Sequence, residues 1–266
     1  MSSASASPES HTAASSNALR ARIAAGRPGI GLLVSMPSPH MVQALAGAGF
    51  DWVFIDMEHG PISIESAHAM IMATRGTATA PLVRVPWNEH WLVKPVLDAG
   101  AMGVIFPMIK SAEEARAAVA ALRYPPIGDR GFGPFYASYR FGTDMRSYPD
   151  IADREIMCVL LIEHKDAIDD IENIARVEGV DACLIAPNDL SMSYGHRDGP
   201  NHPEVQQAIA RAEAALLPSG IAVGGLAPDN ALANQMIDKG YRLILTGYDT
   251  LLIDRGARAI LDGLNR

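Results

Sequence analysis

The sequence has little of what marks secreted, membrane-spanning or disulfide-rich proteins. It contains two cysteines among 266 residues. Cys158 and Cys183 both stand within apolar runs, so we interpret them as small buried side chains rather than as a disulfide or a nucleophile. No apolar run approaches the roughly 20 residues that span a bilayer, and the first 18 residues lack the basic and apolar regions of a secretory signal. We therefore expect a reducing, cytoplasmic setting and no membrane partner.

Basic residues are also scarce. Lysine and arginine number 22 against 30 aspartates and glutamates, which gives a formal net charge of −8. Nucleic acids and anionic lipid surfaces are bound by basic surfaces, so neither is expected as a partner. An acidic chain that acts on a small anion has to concentrate positive charge locally, which makes arginines at the ends of strands worth finding.

The chain divides into a short tail and one domain. Residues 1–18 are rich in serine and alanine and are predicted to form a disordered tail. Residues 19–266 are predicted to form a single domain, because roughly 250 residues is the usual length of one α/β barrel. Hydrophobic residues make up 48% of the chain, which is enough for a large buried core.

Eight short apolar runs recur along this domain, and most are followed by a helical pattern. Nearly continuous apolar runs indicate strands that are covered on both faces, as in parallel sheets. Eight strand–helix units predict an α/β fold closed as a (β/α)8 TIM barrel, with an open doubly wound sheet as the alternative. The predicted strands are 31–34, 52–56, 81–85, 103–106, 158–162, 182–185, 221–224 and 242–246.

One connection is unusually long. Residues 125–154 contain the glycine-rich stretch 128–134 (GDRGFGP). Long irregular segments in compact domains are often binding loops or lids, so this segment and Arg130 are predicted to close over an anionic substrate. The alternative is a surface loop without a role in the reaction.

Polar residues that interrupt the apolar runs at strand ends are the candidates for chemistry, since barrel enzymes place their catalytic groups there. Asp56 and Glu58 follow the second strand and should point to one side, with His59 beside them. A histidine next to carboxylates can be held in one tautomer and used to move protons. The alternative is a loop histidine paired with a carboxylate for structural reasons.

A guanidinium in a strand needs an anionic partner, because burying it unpaired is costly. Arg84 in the third strand is therefore predicted to bind a substrate carboxylate or a keto oxygen. The alternative is a structural pair with an internal carboxylate such as Asp98.

Two further carboxylates, Glu163 and Asp189, end the fifth and sixth strands. Adjacent strands lie about 5 Å apart, so these side chains are well placed to share a cation. Oxygen ligands suit Mg2+ or Mn2+. The alternative assigns Asp189 as a helix cap and Glu163 as a charge on the rim. His164 is expected to be structural, and Asp249 is expected to be the N-cap of the last helix.

In these polar residues at the strand ends and in the stretches around them, the sequence resembles the HpcH/HpaI family, the class II pyruvate-dependent aldolases. The likeness runs in order from about residue 28 to the C-terminus. The stretches that carry it are 56–61 (DMEHGP), 83–86 (VRVP), 97–107 (LDAGAMGVIFP), 128–134 (GDRGFGP), 162–163 (IE), 187–191 (PNDLS) and 246–249 (TGYD).

The resemblance implies a (β/α)8 barrel of the phosphoenolpyruvate/pyruvate type, with the last helix exchanged between subunits of a trimer or hexamer. It implies that Glu163 and Asp189 bind a divalent cation (Mg2+, Mn2+ or Co2+). It further implies that Arg84 binds the pyruvate oxygens and that His59, oriented by Asp56, is the acid/base.

The same resemblance places residues 186–188 (Ala186, Pro187 and Asn188) against the substrate, with Asp98 and Glu58 supporting the site from behind. Two positions depart from the family pattern. Leu161 stands where members often carry glutamine, and Ala186 stands where glycine is common. Both departures lie next to the expected substrate position.

The implied reaction is reversible aldol cleavage of 4-hydroxy-2-oxo acids to pyruvate, or a related 2-oxo acid, and an aldehyde through an enolate. Alternatives are an oxaloacetate-type decarboxylase, a citryl- or malyl-CoA-like lyase, or a non-catalytic subunit that binds metal or oxo acid. Lys94, Lys110 and Lys165 all lie outside the strand cores, which disfavours a Schiff base.

Overall fold

The apolar runs form the strands of a closed barrel. The computed structural model describes residues 16–265, and in it eight parallel strands pair in sequence order, with β1 closing on β8. The predicted (β/α)8 barrel is confirmed. The strands are β1 (Gly29–Val34), β2 (Trp52–Asp56), β3 (Ala80–Arg84), β4 (Gly103–Phe106), β5 (Met157–Ile162), β6 (Ala182–Ile185), β7 (Ala222–Leu226) and β8 (Leu243–Tyr248).

Helices connect the strands and cover the barrel. Among the described residues they are α1 (Ala18–Ala24), α2 (Pro39–Ala48), α3 (Ile64–Ala73), α4 (His90–Asp98), α5 (Ala112–Leu122), α6 (Ala137–Arg140), α7 (Tyr148–Glu155), α8 (Lys165–Asp169), α9 (Ile171–Ile174), α10 (Pro187–Ser193), α11 (Pro203–Leu216), α12 (Asn230–Lys239) and α13 (Asp249–Asp262). In that part of the chain no helix is long and apolar enough to cross a membrane.

Local sequence signals account for many of the helix ends. Ser111 caps α5 by accepting a hydrogen bond from the backbone N–H of Glu114. Ser38 caps α2 in the same way, and Gly49 ends that helix with a φ of 94°, a left-handed conformation that glycine adopts without a Cβ clash. Cys158 and Cys183 are fully buried and free, as predicted.

Helix α1 lies at the N-terminal end of the barrel and was not predicted. Asn17 is fully buried, caps α1, and donates hydrogen bonds from its side chain to the backbone oxygens of Met102 and Glu155. The predicted tail therefore extends too far, because Asn17 and Ala18 belong to the folded domain. Residues 1–15 lie outside the described residues.

The long connection after α5 does not form the predicted lid over the mouth of this barrel. It leads into the N-terminal end of β5. Arg130 is buried, pairs with Asp98 at 3.0 Å and contacts the Tyr148 hydroxyl at 3.2 Å. The alternative in which Asp98 pairs with Arg84 is therefore wrong, because Arg130 is the cation that holds Asp98.

Helix α13 differs from the other long helices in leaving its apolar side chains exposed. Leu252, Ile253, Ile260 and Leu261 are 40 to 69% exposed. Its buried residue is Asp249, which accepts hydrogen bonds from the backbone N–H groups of the β1–α2 connection and from a serine hydroxyl there. The expected N-cap role of Asp249 is wrong, since the N-cap position belongs to the residue before it.

Candidate active site

A cavity of about 250 Å3 opens at the carboxyl ends of the strands. It brings together most of the residues that were predicted to carry the chemistry. None of the residues that line it belongs to the long connection after α5. The predicted residues in its wall are His59, Arg84, Glu163, Ala186, Pro187, Asn188 and Asp189.

Arg84 ends β3 and is held by two carboxylates. Asp56 ends β2 directly opposite it in register and accepts two hydrogen bonds, from Nε at 2.9 Å and from Nη2 at 2.6 Å. Glu58 Oε2 lies 3.0 Å from Nη1 but makes no well-aligned hydrogen bond. Asp56 and Glu58 thus point to one side, as predicted.

The contacts of Arg84 set the charge of Asp56. Burial alone would raise the pKa of this carboxyl, but the hydrogen bonds and the charge of Arg84 hold the pKa below its usual range. Asp56 therefore remains ionised and keeps the guanidinium in one orientation. A bidentate pair of this kind fixes position as well as charge.

The expectation that Asp56 orients the ring of His59 is wrong. Asp56 accepts hydrogen bonds from the backbone N–H groups of Glu58 and His59, at 3.0 and 3.2 Å, so it shapes the turn after β2. The nearest carboxylate to the imidazole belongs to Glu58, 3.8 Å from Nε2. The ring itself is 71% exposed at the edge of the cavity.

Glu163, in contrast, is a buried carboxylate without a basic partner in the described chain. It follows β5, is 4% exposed, and accepts a hydrogen bond at 2.6 Å from the backbone N–H of Met108. Burial raises its pKa to about 7, and the negative charges of Asp189 and Glu58 act in the same direction. The site thus holds more negative charge than Arg84 neutralises.

These donors fit a divalent cation. Glu163 and Asp189 offer hard oxygen ligands, and the buried Oε2 of Glu58 nearby has no hydrogen bond. A cation between the carboxylates would offset the burial and the repulsion that together raise the pKa of Glu163. The predicted structural role of His164 is consistent with its position as the N-cap of α8.

A separate group of possible metal ligands lies in the connection between α10 and α11. Within residues 16–265, His196, His202 and Glu204 are the three side chains whose ligand atoms approach within 4.8 Å of one another. The two imidazoles stack at 3.4 Å, so their in-plane lone pairs run parallel rather than converging. The arrangement is a hydrogen bond between His196 and Glu204, with His202 stacked on the His196 ring.

The rest of the cavity wall is apolar, and sequence reasoning did not identify most of it. These side chains face inward from alternate positions of the strands, a pattern that continuous apolar runs conceal. Leu161, which replaces a glutamine common in the resembling family, is one of them and is 4% exposed. The apolar and aromatic residues are Leu33, Phe54, Leu161, Leu184, Ile185, Leu226, Leu245 and Tyr248.

Fold and site together define a class: a (β/α)8 barrel enzyme with one guanidinium and an excess of carboxylates at the mouth. The pattern of the HpcH/HpaI aldolase/citrate lyase family matches residues 29–255. The chain belongs to this family, and it is a carbon–carbon lyase.

Relatives support this assignment over nearly the whole chain. A 4-hydroxy-2-oxo-heptane-1,7-dioate aldolase of Salmonella typhimurium is 39% identical over 245 residues, covering 92% of this chain and 93% of the relative. The crystal structure of a HpcH/HpaI aldolase/citrate lyase family protein from Burkholderia cenocepacia has a TM-score of 0.87 at 37% identity and covers 93% of this chain and 98% of that one. A structure of the citrate synthase SbnG has a TM-score of 0.83 at 28% identity and covers 92% and 96%.

Proposed function

We propose that this chain is a divalent-metal-dependent aldolase. It cleaves 4-hydroxy-2-oxo acids reversibly to pyruvate, or a related 2-oxo acid, and an aldehyde. The observation that carries the proposal is Glu163, a buried carboxylate with a raised pKa and carboxylate neighbours, in one cavity with Arg84.

Glu163 and Asp189 would hold the cation, Mg2+, Mn2+ or Co2+. When bound, such a cation supplies a Lewis acid for the carboxylate and keto oxygens of the 2-oxo acid. Asp189 lies in the first turn of α10. The N-cap residue of that helix is Ala186, whose side chain cannot accept a capping hydrogen bond. Ala186, Pro187 and Asn188 would then lie along the substrate carboxylate.

Arg84 would stabilise the negative charge that develops on the keto oxygen. A guanidinium has five N–H donors, and Asp56 occupies two of them. The remaining donors are available to a substrate oxygen in the cavity. Because Asp56 and Glu58 already hold the group in place, little reorientation is needed during the reaction.

His59 would transfer the proton of the substrate hydroxyl at the edge of the cavity. Its exposure suits a group that exchanges protons with solvent, and the Glu58 carboxylate lies 3.8 Å from its Nε2. The apolar wall around Leu161 would receive the carbon chain of the substrate.

The citrate synthase among the structural relatives favours a second candidate. A citryl-type lyase or synthase would use the same carboxylates and arginine but a different carbonyl partner. An oxaloacetate-type decarboxylase is a further alternative on the same site. These reactions differ in the product that is released, so product analysis separates them.

The exposed apolar face of α13 supports the proposal that the enzyme is a homo-oligomer, a trimer or hexamer, in which this helix packs on a second copy. The barrel of the same chain leaves that face uncovered. Sedimentation analysis of the purified protein measures the state, and a monomer at micromolar concentration contradicts this proposal.

A pyruvate-release assay tests the proposed reaction. The purified protein is incubated with 4-hydroxy-2-oxo acids of different lengths, after EDTA treatment and after addition of Mg2+, Mn2+ or Co2+. Metal-dependent release of pyruvate and of a stoichiometric aldehyde is expected. Turnover that survives EDTA contradicts the metal assignment. If these acids are not cleaved, release of carbon dioxide from oxaloacetate supports the decarboxylase, and cleavage of a citryl- or malyl-CoA thioester to acetyl-CoA and an oxo acid supports the lyase.

A further inference from the structure

Arg140 differs from the other buried arginines of the described chain. Four are buried, namely Arg84, Arg123, Arg130 and Arg140. The first three have a carboxylate oxygen at 2.6 to 3.9 Å. Within residues 16–265 Arg140 has none, and its side-chain hydrogen bond goes to the sulfur of Met102 at 3.4 Å.

The charge on Arg140 is thus buried without compensation from the chain described. Burial and, to a smaller extent, the positive charge of Arg75 together lower its pKa to about 10. At neutral pH the guanidinium remains protonated. Burying a charge without a counter-ion costs free energy, and an anion bound beside the charge offsets that cost. This position therefore favours an anion from outside the chain.

Arg140 lines a cavity of about 710 Å3 that also contains Arg75. The hydroxyl-bearing residues Thr77, Ser138 and Thr143 lie in the same wall. Two guanidinium groups and hydroxyl donors around one space form the donor set that phosphoryl oxygens prefer.

The cavity lies at the end of the barrel opposite the candidate active site. Its wall includes residues 75–78, which precede β3, and Met102, which precedes β4, whereas the candidate active site follows the strands. The two sites therefore do not share residues. A ligand here would act on stability or assembly rather than in the reaction.

We infer that this cavity binds a phosphoryl group, either as inorganic phosphate or as the phosphate of a small monoester, with Arg140 as the buried counter-charge and Arg75 at the entrance. The inference does not depend on the aldolase reaction. It rests on a buried guanidinium that has no carboxylate partner among residues 16–265 and that lines a cavity with a second arginine.

Thermal unfolding and equilibrium dialysis of the full-length protein test this inference. The protein is titrated with inorganic phosphate, and in parallel with glycerol phosphate, at an ionic strength held constant with sodium chloride. A saturable rise in unfolding temperature and one bound phosphate per chain are expected. Tighter binding of the monoester identifies an organic phosphate as the ligand, and equal binding identifies the free ion.

Arg140→Met and the control Arg146→Met remove the same charge from neighbouring positions. Arg146 is exposed, so its variant should respond to phosphate as the wild type does. Arg140→Met should bind phosphate at least tenfold more weakly and, without anions, unfold no earlier than the wild type. If Arg140→Met does not fold, the exposed Arg75→Gln variant should still weaken binding several-fold.

Three results would overturn the inference. One is an unchanged phosphate response in Arg140→Met or, where that variant does not fold, in Arg75→Gln. Another is a response to sodium chloride as large as that to phosphate. The third is a change in the oligomeric state of Arg140→Met with no phosphate binding by the wild type, because a carboxylate of a second copy would then be the counter-ion.

Discussion

The two ends of the barrel treat a buried carboxylate in opposite ways. Asp181 precedes β6 at the N-terminal end, pairs with Arg20 and Arg123, and accepts a hydrogen bond from the backbone N–H of Cys158. Glu163 follows β5 at the C-terminal end and has one backbone N–H as its partner.

Burial raises the pKa of both groups, but their surroundings differ in sign. At Asp181 the nearby charges are arginines, which oppose the rise, whereas at Glu163 the carboxylates of Asp189 and Glu58 add to it. The arginines therefore offset part of the cost of burying Asp181, whereas the neighbouring carboxylates add to the cost of burying Glu163. A buried charge that the chain leaves uncompensated marks the place where a ligand is expected, and this is also the reasoning for Arg140.

The sharpest test of the comparison is Glu163→Gln. Loss of the cation should reduce turnover at least roughly 1,000-fold, since a Lewis acid contributes several kcal/mol to such a reaction.

The stability of the Glu163→Gln variant should instead rise above that of the metal-free wild type. Because the folded-state pKa of about 7 exceeds the ordinary 4.5, the metal-free wild type loses stability as the pH rises from 4.5 through 7, and the variant should not. Kinetics and denaturation in EDTA measure both; a destabilised, active variant contradicts the comparison.

The matching change at the other end is Asp181→Asn. It leaves Arg123 buried without its carboxylate and should cost about 4 kcal/mol of unfolding free energy. Turnover per folded molecule should stay the same, because the residue lies far from the cavity. Urea denaturation with an active-site titration separates the two effects, and a loss of kcat at full folding is the contrary result.

Within the mouth, Arg84→Lys tests whether the guanidinium geometry matters. Lysine keeps the charge but cannot form the bidentate pair with Asp56 and face the substrate at once. We expect kcat/KM to fall by a factor that corresponds to about 3 kcal/mol of transition-state stabilisation, the usual contribution of an oxyanion donor. Arg130→Lys is the control, since it alters a buried arginine outside the cavity; equal losses in both variants would indicate a folding effect.

The smallest expected effect belongs to the exposed group, His59→Gln. The variant should lower kcat by no more than roughly 100-fold, because solvent replaces part of the proton transfer. The KM for the 2-oxo acid should stay near that of the wild type. A large rise in KM with unchanged kcat would assign His59 to binding instead.

Prediction from the sequence succeeded where the pattern was local and repeated. The eight apolar runs of residues 31–246 became the eight strands, shifted by one or two positions at their ends. The conjunction of Arg84, Glu163 and Asp189 followed from the rule that carboxyl ends of parallel strands meet at one edge. The cytoplasmic setting stays a prediction.

Prediction failed where a partner came from a distant part of the chain. Asp98 was considered as an alternative partner of Arg84, but the segment after α5 brings Arg130 to it instead. Because this segment holds Arg130 against Asp98, Arg130 lies away from the mouth of the barrel. Sequence spacing cannot indicate which of several arginines reaches a given carboxylate when a strand and a helix lie between them, as β4 and α5 do between Asp98 and Arg130.

The order of strands and helices and the set of polar residues at the mouth of the barrel follow from the sequence alone, whereas closure of the sheet is seen in the structure. Hydrophobic periodicity and capping residues are short-range signals, and eight repeats of them admit few arrangements. Which charges are paired and which are left without a partner becomes visible in the folded structure alone. Pairing depends on distances of a few ångströms between residues far apart in the chain, and that difference separates Asp181 from Glu163 and Arg130 from Arg140.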